Sequence, residues 1–325
     1  MSVFAEVQLS GLALDIAAGL STSGQKRLSS RYFYDDLGSA LFEAITLLPE
    51  YGLTRADERV LRRCASELHA ETGAVRLVAE LGSGSGTKTE HVLRALAGES
   101  KELLYRPIDV SGAALSLCEK QLGNIAVIDP VRADWLDGLA RVARARSRQE
   151  PMLVLFLGSS IGNLERSSLP AFFDRIYAEL SPGDFFLLGA DLVKSVDTMI
   201  AAYDDPVGVT AAFNLNLLSR INRELHADFD LRSFTHEVRW DEAERRIEMH
   251  LLSLRCQQVR VRDIGEFHFD AGETIWTESS HKFTEGELCD YAAASGFHTI
   301  KTWTDSEWPL AETLWQRGAD GILVK

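Results

Sequence analysis

The sequence has few cysteines and no long apolar run, and each absence excludes a class of protein. Its cysteines are isolated, without a Cys-x-x-Cys pair, and stand at Cys64, Cys118, Cys256 and Cys289. This spacing predicts neither a zinc cluster nor a disulfide framework, and it is typical of the reducing cytoplasm. No apolar stretch approaches the length of a membrane span, and the first residues show no signal peptide. We therefore expect a cytoplasmic protein, active as a monomer, without a membrane partner.

Positive charge and metal ligands are also scarce. The sequence has 34 Lys and Arg residues against 48 Asp and Glu residues, which gives a formal net charge of −14 at pH 7. Nucleic-acid binding needs a basic footprint, so no nucleic-acid partner is expected. None of the scattered histidines has metal-ligand spacing, so no metal is expected either. The 325 residues suffice for one large α/β domain or two smaller ones that bind a small molecule.

The segment 75–89 carries the strongest motif, three alternating glycines at positions 82, 84 and 86. An apolar run precedes them and a helix-like segment follows, which is typical of a strand and turn that approach a nucleotide-like cofactor. A phosphate-binding P-loop requires glycine directly before Lys88, but Thr87 stands there. A dinucleotide fold is disfavoured because the third glycine comes one residue early. The remaining interpretations are a loop that binds S-adenosylmethionine (SAM) and a turn that binds nothing. Asp109, which follows the next strand, favours the SAM loop because its carboxylate could bind the ribose hydroxyls of SAM.

The order of elements predicts an α/β fold with a doubly wound parallel sheet and a second lobe. Strand-like runs at 75–81, 103–110, 125–128, 152–157 and 185–190 alternate with helical segments such as 88–96, 111–122 and 169–180. Residues 193–224 are predicted to be helical, with interruptions at Pro206 and Gly208. Residues 234–283 alternate with period two, which predicts antiparallel strands with one covered face. A helix at 285–295 and a final hairpin ending at 321–325 complete the expected fold.

This pattern predicts two lobes with a ligand cleft between them. The first comprises residues 57–192 and 282–325 and binds the cofactor. The second, smaller α+β lobe comprises residues 1–56 and 193–281 and binds the substrate.

Polar side chains at predicted strand ends are candidates for the site. Asp134 and Trp135 follow the third strand, where an acid could bind the adenine amine and an aromatic ring could stack on the base; a helix cap beside a core tryptophan is the alternative. Asn163 follows a buried strand, but no prolines follow it as in enzymes that methylate nucleic-acid bases. Glu278 and Ser280 alternate on one strand and could share a pocket, or form a solvated strand end.

Three tyrosines are candidates for a polar pocket, since each combines an apolar ring with one hydroxyl. They are Tyr34, Tyr51 and Tyr203. Each could instead be a boundary residue of the core. For His281 we favour a structural role.

The chain resembles the SAM-dependent histidine Nα-methyltransferases of ergothioneine biosynthesis, which convert L-histidine to hercynine. The resemblance extends from about residue 31 to the C-terminus, and it rests on the order of the segments 32–35 with 38–42, 48–51, 80–84, 156–164, 189–194, 202–214, 222–225 and 246–249. It implies a Rossmann-like class I methyltransferase fold and SAM as the cofactor. Gly52 and Trp135 depart from the residues expected in this family.

The resemblance also implies roles for matching positions. The cofactor would be held by Gly82, Lys88, Asp109, Asp134 and Trp135. The substrate would be held by Tyr51, Asn163, Tyr203, Met249, Glu278 and Ser280, of which Glu278 and Ser280 would recognise the imidazole. Tyr34 and Asn163 would be the catalytic positions, with Tyr34 near the amine that is methylated.

Two alternatives remain at this point. The same chemistry could act on another free amino acid, such as an aromatic one, although a carboxylate at Glu278 suits imidazole better than phenyl. The chain could also be a non-catalytic SAM-binding module. The presence of all the matching polar residues speaks against that second alternative.

Overall fold

The computed structural model describes residues 11–98, 103–146 and 151–318. The helices are α1 (Gly11–Leu20), α2 (Asp36–Thr46), α3 (Leu53–Thr72), α4 (Thr89–Ala97), α5 (Gly112–Leu122), α6 (Trp135–Ala145), α7 (Leu169–Glu179), α8 (Val196–Tyr203), α9 (Val209–Leu225) and α10 (Glu285–Ala294). The strands are β1 (Lys26–Arg27), β2 (Leu77–Leu81), β3 (Leu104–Asp109), β4 (Val127–Ile128), β5 (Val131–Arg132), β6 (Met152–Phe156), β7 (Phe185–Asp191), β8 (Phe234–Asp241), β9 (Arg246–Ser253), β10 (Gln257–Val261), β11 (Gly265–Phe269), β12 (Thr274–His281), β13 (Phe297–Thr304) and β14 (Leu310–Arg317).

The described residues fall into two compact units. Unit 1 contains the described residues up to Gly52 together with Ser195–Ser280, and unit 2 contains those of Leu53–Lys194 and from His281 onward. The assignment of a cofactor domain and a substrate domain stays a prediction. Within the described ranges, no helix is both long and apolar enough to cross a bilayer.

Unit 2 is built on a mixed sheet in the order β13-β14-β7-β6-β2-β3-β4, with β5 also paired to β3. The five neighbouring strands β7, β6, β2, β3 and β4 pair in parallel. Strand β14 is antiparallel to both β7 and β13. Every residue of β2, β6 and β7 is buried, as expected for apolar strands covered on both faces. The predicted α/β sheet is thus confirmed. The final hairpin is β13–β14, and the predicted end at 321–325 lies outside the described residues.

Unit 1 contains a four-stranded sheet in the order β1-β12-β9-β8 and a separate antiparallel pair, β10–β11. The predicted alternation is confirmed in that pair, where Val259, Val261, Phe267 and Phe269 are buried between exposed neighbours. Helices α8 and α9 are separated as Pro206 and Gly208 predicted, since Gly208 adopts φ +83° just before α9.

The prediction of one covered face is wrong for β9. Glu248 and His250 are buried along with the apolar residues between which they alternate. His250 Nε2 lies 2.9 Å from Glu248 Oε2, and its ring stacks on Trp276 at 5.7 Å between centroids. Polar side chains can occupy this covered face because they are bonded to each other there.

Helix α2 begins at a cap that also fixes the chain around Tyr34. Asp35 is the N-cap residue, and its Oδ1 accepts from the Gly38 amide at 2.7 Å and from Asn216 Nδ2 at 2.8 Å. A Cβ at Gly38 would lie 1.7 Å from the Phe33 carbonyl oxygen, so only glycine fits there. The Asp-x-x-Gly spacing after Tyr34 therefore has a steric reason.

Candidate functional site

The glycine loop connects β2 to the segment before α4 and has no room for side chains at its start. Gly82 has φ +71°, and a Cβ there would lie 3.0 Å from Trp135 Nε1. Its amide donates to the Ile108 carbonyl at 2.8 Å. The structure thus brings Gly82 and Trp135 together, and the indole occupies the space that a side chain at position 82 would need.

Asp109 lies at the end of β3 and is bonded to this same loop. Its Oδ2 accepts from the Gly84 amide at 3.0 Å, and its Oδ1 accepts from the Ser111 amide at 2.8 Å. Two backbone donors hold the carboxylate in one orientation. A carboxylate fixed this way can accept hydrogen bonds from vicinal hydroxyls on its remaining lone pairs.

Asp134 and Trp135 stand at the start of α6. Asp134 occupies the N-cap position but makes no side-chain capping bond, and it is exposed. Its carboxylate is therefore not used to cap the helix. The Trp135 ring packs edge-on against Phe156, with centroids 4.9 Å apart.

Lys88 precedes α4 and forms an ion pair with Asp57 of α3, whose side chain is fully buried. Burial lowers the pKa of Lys88, but the adjacent Asp57 carboxylate outweighs this effect, and the pKa is raised overall. A Cβ at Gly158 would lie 3.2 Å from the Lys88 ammonium, which places that charge next to the turn after β6. Sequence reasoning missed Asp57, because its partner is far away in the chain.

Asn163 ends a short 3-10 turn, Ser160–Asn163, and is exposed. The turn is stabilised from two sides. Ser159 adopts a left-handed conformation (φ 58°) and its Oγ accepts from the Asp191 amide at 2.8 Å. The buried His281 ring places Nδ1 3.0 Å from the Gly162 carbonyl, which gives His281 the structural role we expected.

In unit 1, two of the predicted substrate residues are hydrogen-bonded to each other. The Tyr203 hydroxyl donates to Ser280 Oγ at 2.7 Å, and both side chains are buried. Tyr203 is itself held by His236, whose Nε2 lies 2.8 Å from the Tyr203 carbonyl. Burial lowers the pKa of His236, so this ring is neutral at pH 7.

Aromatic rings surround these hydroxyls. Tyr51 packs edge-on against Tyr203 at 6.2 Å between centroids, and Tyr34 packs edge-on against Phe42 at 5.6 Å and Phe213 at 5.9 Å. Sequence reasoning did not assign Phe42 or Phe213 to the site. The only signal was that both lie in segments that carry the family resemblance.

Glu278 is half-buried on β12, two residues before Ser280, and Met249 is buried on β9. The backbone carbonyl of Glu278 accepts from Trp276 Nε1 at 2.8 Å, and that of Met249 accepts from Thr277 Oγ1 at 3.0 Å. These bonds fix the two strands at the positions that carry both side chains.

Tyr34 lies in the electrostatic field of Glu278. Desolvation raises the pKa of Tyr34, and the nearby Glu278 carboxylate and Tyr203 raise it further. The side chain is 46% exposed, which limits the size of this shift but not its direction. Tyr34 is therefore a neutral phenol at physiological pH, able to hold a hydrogen bond rather than to act as a phenolate base.

Comparison with known proteins decides the family. The model of the SAM-dependent histidine-specific methyltransferases matches residues 12–317. The chain belongs to this family. It is 42% identical over 300 residues to the histidine N-alpha-methyltransferase of Mycolicibacterium smegmatis, covering 90% of this chain and 91% of that protein. It is 29% identical over 290 residues to the ergothioneine biosynthesis protein 1 of Neurospora crassa, covering 86% of this chain and 32% of that longer protein.

The fold comparison agrees with the family. A solved structure from Thermobifida fusca YX, described as a candidate methyltransferase, aligns with a TM-score of 0.51 at 11% identity and covers 89% of this chain and 94% of that one. SAM is the cofactor of this methyltransferase family. The residues predicted to hold the cofactor are compatible with such a molecule, since Gly82 faces Trp135 without a side chain and the Asp134 carboxylate is not used in capping.

Proposed function

We propose that the protein methylates the α-amino group of free L-histidine three times with SAM to give hercynine. The proposal is supported by the family model and by the 42% identity to a histidine N-alpha-methyltransferase. The structural observation that carries it is the hydrogen bond of 2.7 Å between Tyr203 and Ser280. Ser280 lies on β12, the strand that also bears Glu278. The monomeric and cytoplasmic state expected from the sequence stays a prediction.

The donors and acceptors of this group suit an imidazole ring. Neutral imidazole has one N–H donor and one acceptor nitrogen. The Glu278 carboxylate can accept from the N–H. Ser280 accepts from Tyr203, and its own hydroxyl hydrogen can rotate to donate to the other nitrogen. A phenyl or alkyl side chain offers neither the N–H donor nor the acceptor nitrogen to these two groups, which disfavours such substrates.

Catalysis rests mainly on positioning. SAM supplies an electrophilic methyl group on its sulfonium, and the substrate amine must be neutral to attack it. Tyr51 and Tyr203 would bind the amino acid's backbone groups, a role that the family resemblance also implies for Asn163. These contacts would orient the lone pair in line with the methyl group, and such orientation accounts for a large part of the rate in displacement reactions. Tyr34, as a neutral phenol, would form a hydrogen bond near the substrate amine. It would help the proton that the amine loses to reach water.

The test is incubation of the protein with SAM and each free amino acid in turn, followed by mass spectrometry of the products. We expect additions of one, two and three methyl groups on histidine alone. Methylated product from another amino acid but none from histidine would contradict the substrate assignment. Absence of any product, with SAM binding intact, would favour a non-catalytic module.

A further inference from the structure

Unit 2 contains a group of buried acids that is not balanced by positive charge. Asp57 on α3 and Glu312 on β14 are fully buried, and Glu80 on β2 is 4% exposed. The charges that act on Glu312 are those of Asp57, Lys88 and Glu80, and Cys64 on α3 also faces this group. Three carboxyl groups thus share one ammonium group.

Glu80 does not need Lys88, because it has donors of its own. Its Oε2 accepts from Thr89 Oγ1 at 2.7 Å and from the Tyr105 hydroxyl. Burial raises the pKa of Glu80 to about 7. The lysine is therefore left to the other two acids.

Asp57 and Glu312 have more buried acceptors than donors. Asp57 Oδ2 pairs with Lys88, but Asp57 Oδ1 and both carboxyl oxygens of Glu312 have no hydrogen-bond donor when both acids are ionised. A buried acceptor without a donor destabilises the folded state, and an ionised acceptor does so more strongly. A proton on Glu312 reduces this conflict, since the carboxylic acid can then donate to the Asp57 carboxylate and only one Glu312 oxygen is left without a donor.

The backbone is built to admit Glu312. Glu312 stands opposite Gly189 in the β14–β7 register, and a Cβ at Gly189 would lie 2.5 Å from Glu312 Oε1. A side chain at position 189 would force the Glu312 carboxyl group to move from this position. Gly189 begins the segment 189–194 that carries part of the family resemblance, and neither the cofactor nor the substrate assignment uses it.

Electrostatics agree with a protonated Glu312. Burial raises the pKa of this carboxyl, and the Asp57 charge and a side-chain hydrogen bond with Asp57 raise it further. Lys88 acts in the opposite direction but is paired with Asp57.

We propose that Glu312 retains a proton that it shares with Asp57, and that this pair positions the Lys88 ammonium for the cofactor. The proton moves only between two carboxyl oxygens, so no further reactant is needed. The shared proton follows from unit 2 alone, whereas the role of Lys88 rests on the proposed function. Asp57 and Glu312 are positioning residues in this scheme, and they act through Lys88.

The first test concerns the proton and needs no ligand. Because the pKa of Glu312 is raised in the folded state, its contribution to stability is full below its unfolded value of about 4.5 and is lost as the pH rises through the folded value. Glu312→Gln keeps a donor for Asp57 and has no proton to lose. We expect its Tm to rise relative to wild type between pH 5 and pH 8, by about 3 °C or more. Glu80 and Cys64 are present in both proteins, so the effect of their titration on Tm cancels in the difference between the two.

The control is Glu119→Gln, which removes an exposed carboxyl in the same unit. The Tm difference between this variant and wild type should not increase with pH. A Glu312→Gln protein whose Tm difference from wild type is constant or falls with pH, or which fails to fold, overturns the shared proton.

The second test concerns Lys88 and uses S-adenosylhomocysteine (SAH) as the probe in isothermal titration calorimetry. We expect Lys88→Met and Asp57→Asn each to raise the Kd at least tenfold, and Asp57→Asn to add less than threefold in the Lys88→Met background. Glu312→Ala should weaken binding, and Glu312→Gln should restore most of it. Equal effects of Asp57→Asn in both backgrounds overturn positioning through Lys88. A normal Kd for Lys88→Met contradicts the assigned role of Lys88, while the pH test of the proton is unaffected.

Discussion

At the scale of single residues, the lack of a side chain at Gly82 leads to a prediction about the proposed cofactor site. An alanine there would be strained at φ +71°, and its Cβ would press on the Trp135 indole at 3.0 Å. We expect Gly82→Ala to raise the Kd for SAH at least tenfold, since backbone strain and displacement of the ring together cost about 1–3 kcal/mol. Gly183→Ala is the matched control, because Gly183 has φ +90° but nothing within 4 Å of the added Cβ. An equal loss of SAH binding in both variants would contradict a local role for Gly82.

Ser280 makes the corresponding prediction for the substrate. Ser280→Ala removes the Oγ that accepts from the buried Tyr203 hydroxyl, and with it the proposed partner of the imidazole. We expect kcat/KM for histidine to fall about 10- to 100-fold, while the Kd for SAH stays within twofold. Ser279→Ala, one residue away and on the opposite face of β12, should change kcat/KM less than threefold. If the Ser279 variant lost as much activity, the effect would belong to the strand and not to the hydroxyl.

At the scale of elements, the carboxylate of Asp305 connects the turn after β13 to α3. Asp305 accepts from Arg59 at 2.9 and 2.6 Å and from the amides of Glu307 and Trp308 at 3.1 and 2.9 Å. The Arg59 guanidinium lowers the pKa of Asp305 to about 2, despite the opposing effect of burial. These bonds join the C-terminal hairpin to a helix that packs on its sheet.

A lowered pKa stabilises the folded state above the unfolded value of 3.8, and this contribution is lost as the pH falls toward 2. We expect Asp305→Asn to lower the free energy of unfolding by about 2 kcal/mol at pH 7, because the neutral amide cannot form the ion pair with Arg59. In urea melts the difference from wild type should be constant above pH 5 and shrink below pH 4. Asp290→Asn, an exposed acid on α10, serves as the control. A difference that does not depend on pH would exclude this ion pair as the cause.

The elements also show how far the sequence could lead. The strands β2, β6 and β7 were predictable because each is a largely apolar run with a glycine or polar residue at or just after its end, as at Gly82 after β2 and Asp191 in β7. The two covered faces of β9 were not predictable, since Glu248 and His250 look solvent-facing until their mutual hydrogen bond is seen. For the same reason Asp57 and Glu312 escaped notice. Their burial depends on partners about 30 or more positions away in sequence, and no local pattern encodes such contacts.

At the scale of the whole molecule, the excess of acidic residues bears on the choice between cofactor and product. The net charge of −14 produces a negative potential around the protein at pH 7. SAM carries one more positive charge than SAH, and the two molecules differ otherwise by only a methyl group. The potential therefore attracts SAM more than SAH, which favours exchange of the product for fresh cofactor.

The negative potential predicts that salt changes the relative binding of SAM and SAH, and SAH serves as the control ligand. Mobile ions screen the potential, with a Debye length that falls from roughly 20 Å at 0.02 M salt to about 4 Å at 0.5 M. Over that range we expect the ratio of Kd for SAM to Kd for SAH to rise on the order of threefold, measured by calorimetry in sodium chloride at pH 7. The contacts proposed at Gly82 and Asp109 would be common to both ligands and would cancel in the ratio. A ratio independent of salt would mean that discrimination arises only from groups in direct contact with the sulfur, and not from the charge of the molecule as a whole.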